Sequence, residues 1–217
     1  MDVLLASAAP ADIMAFAEHW RNARANNLVP SLSDYLDRPP FAHQRDTAIV
    51  DVVAPGQVRF RLFGTGLNDL SGDELTGRDV LAHFHPSARA EAERITWAAV
   101  TTPCGYLLSR KMRRGVFAIT ASGIGLPLWH QQSARYCIVG FTSAISSQTE
   151  VVGSVEEGFV TEVKLVQWID VGARTPYRSA PGRSRLLRRT PQTLCQFDHA
   201  GVTDPQESTL WTVQIGD

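Results

Sequence analysis

The stretch VRFRLFGTGLNDLSGDELTGRDV, residues 58–80, constrains the fold of this chain most, because its apolar period changes partway through. Val58, Phe60 and Leu62 alternate with Arg59 and Arg61, which is the pattern of a strand with one apolar and one wet face. At Gly64 the alternation stops. Leu67 and Leu70 then stand three apart between Gly66 and Gly72, the spacing of a single helical turn. The β-branched run at residues 48–53 and the turn at Pro55 and Gly56 complete a hairpin upstream. Gly64-Thr65-Gly66 after a strand resembles the start of a dinucleotide loop, but the third glycine is missing and no βαβ unit follows. These glycines are read as turning the chain out of its second strand, and Gly77 as occupying a backbone position other residues would resist.

The rest of the chain fits around this block. Ile13, Phe16, Ala17 and Trp20 form one stripe of an amphipathic helix over residues 10–26. A proline-stiffened connector follows, in which Ser33 is suited to cap a short turn around Tyr35. Short helical pieces run to Phe84. Pro86 suits a first helical position, Ala88, Ala92, Ile95 and Ala99 recur at helical spacing, and Pro103 ends the segment. Strand patterns return at residues 106–111, 116–128 and 135–145, with a turn at 113–115 and the loop HQQSA between them. Helix, two strands, several helices and three strands read as an α+β fold whose antiparallel sheet is covered on one face.

The chain has 217 residues, 44% hydrophobic and 20% charged, enough for one main domain and an extension. The main domain is expected over residues 10–148 and a C-terminal extension over 149–217, the latter holding one strand at 163–171 and an irregular, mobile tail. A net charge of -1 gives no global attraction to nucleic acid or anionic lipid. No apolar run is long enough to span a bilayer, and the N-terminus opens with Asp2 where a signal peptide would carry positive charge. The reading is a cytoplasmic protein without a membrane span. Cys104, Cys137 and Cys195 lack the spacing of a zinc site or redox pair.

Several local strings point in one direction together: Trp20 in the first helix, LVPSLSD at residues 28–34, Arg59 to Gly64 with Thr65, LTGR at 75–78 and LPL at 126–128. On these residues the chain resembles a PAS-domain family widespread in alphaproteobacteria, the PAS-5 type, formerly a domain of unknown function, over about residues 15–146. The resemblance implies a five-stranded antiparallel sheet in the order 2-1-5-4-3, with helices on one face and an N-terminal flanking helix, to which the residue patterns add the extra C-terminal strand and the irregular tail. It also implies a pocket between the sheet and the long helix, and dimerisation through the flanking helix.

A ligand in such a pocket would be walled by apolar and aromatic residues. The candidates are Phe60, Trp97, Tyr106, Phe117 and Ile119, with a dry core as the alternative role for the same side chains. Phe16 and Trp20 either cap the sheet or meet their copies in a homodimer, and Arg78 either bridges locally or contacts a partner. His83 and His85 read as surface or capping groups, since no Cys or paired carboxylate stands near them to complete a metal site. No His lies on the long helix where a haem would want one, and Cys104 is not in the helix a photoactive flavin would need. No metal and no cofactor is expected.

Ser122 lacks a nucleophile elbow, and the neighbouring carboxylates Asp73 and Glu74 are adjacent in sequence and splay apart, so no catalytic residue is assigned. The tail carries Arg178, Arg183, Arg185, Arg188 and Arg189 with no acidic residue among them. The expectation is a non-catalytic sensor or adaptor in signal transduction, acting by small-molecule ligand binding or protein–protein interaction with an unidentified signalling partner. The alternative is a nucleic-acid-binding regulator that uses Arg183, Arg185, Arg188 and Arg189.

Overall fold

The computed structural model describes residues 10–39, 42, 44–114, 117–148, 160–173 and 175–176. Helix α1 (Ala11–Ala23) buries the expected stripe of Ile13, Phe16, Ala17 and Trp20, extended by Ala23. Helix α2 (Leu32–Leu36) is capped by Ser31 and not by Ser33: the Ser31 hydroxyl accepts from the Asp34 N–H at 3.0 Å, while Ser33 stands inside the first turn. Strands β1 (Thr47–Ala54) and β2 (Gln57–Phe63) form the hairpin, turning at Gly56 with φ 72°.

Helix α3 (Thr65–Ser71) starts at once, and its flanking glycines answer to crowding. A side chain at 64 would collide with the Arg45 and Thr47 carbonyls, so close backbone approach requires that glycine, while one at 66 would first meet the side chains of Asp46 and Arg45. Gly77, with φ 83°, opens a stretch that covers the free edge of β2: its N–H donates to Phe60 O at 2.7 Å, and Val80 N–H donates to Val58 O at 2.8 Å. Helix α4 (Pro86–Thr101) has Pro86 in its first turn and the expected buried row Ala88, Ala92, Ile95 and Ala99. Three of those four are alanine, which lets the helix lie close on the sheet.

The remaining strands are β3 (Gly105–Arg114), β4 (Phe117–His130), β5 (Arg135–Gln148) and β6 (Val160–Ile169). All pairings are antiparallel, in the order β2-β1-β5-β4-β3-β6. The first five strands follow the order the resemblance implies. The strand expected in the C-terminal extension is the sixth member of the same sheet, paired along most of β3.

Each face of the sheet has its own core. α4 and the segment containing Val80, Leu81 and Phe84 cover one face, where Val50, Val58, Phe60, Tyr106, Leu108 and Ile138 are buried. The flanking helix α1 and α2 cover the other, over Ile49, Leu128, Val139 and Phe141. One detail of the hairpin departs from simple alternation. Val50 pairs with Phe60 but Ile49 pairs with Leu62, so Arg61 is an extra residue, a bulge that turns Leu62 away from Phe60 and onto the α1 face. Arg61 itself reaches Asp51 at 2.9 Å.

Candidate functional site

A cavity of about 120 Å³ lies between the sheet and α4. At the ~30 Å³ a water occupies in the liquid, that is room for about four water-sized groups. The residues beneath it explain why the space is empty. On β4, Gly123 and Gly125 stand opposite Leu108 and Tyr106 of β3, and on β5 Gly140 stands opposite Gly125. Three glycines in this part of two central strands leave a floor without side chains. The walls are apolar: Val50 and Phe60 from the hairpin, Leu67 and Leu70 from α3, Ala92 and Ile95 from α4, Leu108 and Met112 from β3, Val160 and Val163 from β6.

Two long polar side chains of β3 fill part of the glycine floor. Tyr106 lays its ring against Gly125, and burial pushes its hydroxyl up to about 12, leaving a neutral donor. Arg110 crosses β4 over Gly123, where an added Cβ would stand 2.6 Å from its Nη2, and that nitrogen donates to Thr142 Oγ1 on β5 at 2.5 Å. This is the guanidinium's hydrogen bond among the described residues. Arg110 as a whole is half-buried, but its Nε has no accessible surface and no partner. Burial draws its pKa down, with only the Tyr106 hydroxyl acting the other way; an arginine nonetheless stays protonated.

The other ionisable group on the cavity is His83, held below its ordinary range by burial and then by the nearby charge of Arg78, against a weaker opposite pull from Asp73 and Asp79. Its imidazole is therefore neutral near pH 7. Among the described residues no Asp, Glu, Ser or Cys lines the cavity. The site thus carries one fixed positive charge, neutral donors and no compensating anion. A charge drawn partly out of water with no anion beside it is a cost, which makes Arg110 the residue here most in need of an explanation.

Of the residues expected to wall a pocket, Phe60 and Tyr106 line the cavity. Trp97 and Ile119 pack against the same core from its margin and are not part of the cavity's lining. The side chain of Phe117 lies outside the described residues. Phe16 and Trp20, expected to cap the sheet or meet a second copy, are spent inside the chain. Phe16 stacks on Phe141 with ring centroids 5.4 Å apart, and Trp20 donates its indole N–H to the Pro127 carbonyl at 2.8 Å; both are at most 1% exposed.

Arg78 is exposed, its carbonyl accepting from Phe60 N–H. His85 caps α4, as a capping reading would have it, but His83 faces the cavity. The tail arginines Arg183, Arg185, Arg188 and Arg189 lie outside the described residues. Arg110, Thr142 and Gly123 escaped the sequence reading. Their signal was parity: Arg110 follows Tyr106 and Leu108 at two-residue steps, a charged residue on the inward side of a strand.

An antiparallel sheet ordered 2-1-5-4-3 with a long helix closing a cavity over it is the architecture of a PAS sensory module. A family model described as a PAS domain, PAS-5, matches residues 9–143, and this chain belongs to that family. Among solved structures a fungal LOV domain photoreceptor is similar at 19% identity, covering 65% of this chain and 96% of that one, with a TM-score of 0.39. Comparison with curated proteins gives no match.

Proposed function

We propose that this protein is a sensory PAS module that works by binding: a small molecule enters the cavity under α4, and the ligand-bound form engages a signalling partner, with no reaction catalysed. The observation that carries this reading is the cavity itself, an apolar enclosure with a few polar groups directed into it, the usual composition of a small-molecule site. The absence of any carboxylate, serine or cysteine from its described lining favours holding a molecule over transforming it.

No helix among the described residues is long and apolar enough to cross a membrane. We place the protein in the cytoplasm as a homodimer, with the exposed Arg78 as a contact for the partner. The second reading, nucleic-acid binding through the arginine-rich tail, rests on the sequence of that segment alone.

Native mass spectrometry of the full chain, purified without detergent, tests the ligand and the oligomer together. The expected spectrum is a dimer carrying an extra small mass per protomer. Ala92→Leu extends a bulkier side chain from α4 into the cavity and should remove that mass while leaving the dimer intact. A bare protein whose melting temperature no small molecule raises would overturn the reading.

A further inference from the structure

Arg110 is where the cavity departs from what a dry core needs. Its guanidinium is tethered on one side to Thr142, its Nε–H is sealed from solvent and makes no hydrogen bond, and no carboxylate lines the cavity among the described residues. A dry core would carry Met or Leu there, because a half-buried cation with no carboxylate beside it is a net cost. The chain has instead cleared space for it: Gly123 leaves the room its Nη2 occupies. Tyr106, a second donor, stands on the same inward side of β3.

We propose that the cavity binds a small monocarboxylate with an apolar body, its carboxylate received by the guanidinium of Arg110, a residue of the cavity lining, and its hydrocarbon lying among the apolar walls. Size and charge both narrow the class. A cavity of about 120 Å³ is slightly smaller than the ~150 Å³ that takes benzene, which limits the molecule to about four to six non-hydrogen atoms. A single fixed cation balances a single negative charge, whereas a dianion would bring a second, unmatched charge into an apolar enclosure. Carboxylate is favoured because its two oxygens match a guanidinium edge.

This inference rests on the ligand-binding reading above, and the test separates the two. The full chain is titrated by calorimetry with butanoate and with 1-butanol, which keep the same chain but differ in charge, using the unaltered protein and Arg110→Met. The unaltered protein should bind butanoate at least tenfold more tightly than butanol. In Arg110→Met that preference should vanish, with butanol binding retained.

If butanol equals butanoate in the unaltered protein, or if Arg110→Met keeps the preference, the anion assignment is overturned while the cavity remains a ligand site. If neither compound binds, this inference falls, and the ligand reading is then decided by native mass spectrometry. Should Arg110→Met not fold, Gly123→Ala examines the same point, since its added methyl displaces the guanidinium. It should weaken butanoate at least threefold more than butanol, and an equal effect on both would overturn the proposal.

Discussion

Gly125 shows how much of the site depends on single positions. Tyr106 packs its ring onto the bare backbone there, and a methyl group would force a rigid aromatic, already buried and edge-on to Trp168 at 6.3 Å, to move. Overpacking of that kind costs about 1–3 kcal/mol. Gly125→Ala should therefore lower the urea midpoint by a corresponding amount with an unchanged slope, and a neutral result would mean the ring is not held as described. Sequence reasoning picked Tyr106 and Phe60 as inward-facing because strand alternation is a direct record of which side a residue faces. It passed over Arg110 because pocket walls were sought among aromatic and aliphatic residues, and over the glycines because a glycine's partner across the sheet becomes visible only once register is known.

At the scale of elements, α1 and β6 are what turn a half-covered sheet into a closed one. α1 is anchored by Trp20, which fills the second core and spends its indole N–H on Pro127. Trp20→Ala should cost about 3–5 kcal/mol, comparable with the whole stability of a small domain. Trp20→Phe keeps most of the volume but leaves the Pro127 carbonyl without its donor, and should lose about 1–3 kcal/mol. Equal denaturation midpoints for all three proteins would show α1 to be loosely attached. The helical stripe and the long helix were legible from periodicity, and the six strands from alternation or β-branched runs, although β1 and β6 bury an irregular set of side chains. The bulge at Arg61 was not, since Val58, Phe60 and Leu62 alternate perfectly on paper and only the pairing with β1 reveals the inserted residue. Nor was the capping role of Ser31, where two serines two apart competed for one position.

Taken as a whole, the molecule has two cores and a titratable imidazole at the margin of each. His19 stands beside Tyr35 on the α1 side and His83 on the cavity side, and burial holds both below the ordinary 6.5, helped by Arg38 and Arg78 respectively. In the folded chain both stay neutral at a pH where the unfolded chain has begun to take up protons. The unfolded state thus binds more protons below about pH 6.5, so the contribution is complete above that pH and is lost as pH falls through the lower folded-state values. Urea midpoints measured from pH 7.5 down to 5.5 should decline, and His19→Gln with His83→Gln should flatten that decline; an unchanged slope in the double variant would assign the effect to other groups. The order of elements conveyed the architecture at this scale, yet a sheet covered on one face with a flanking helix is, in the event, a sheet covered on both, because α1 folds back across the side left open. The glycine floor also bears on how such a protein could change over generations. At Gly140 an added methyl would meet nothing nearer than the Ile124 carbonyl at 3.6 Å, so the floor there can be raised by one carbon without disturbing a neighbour. On the proposed ligand reading, a lineage built on this scaffold would exchange one ligand for a shorter one by that single substitution, with the topology unchanged.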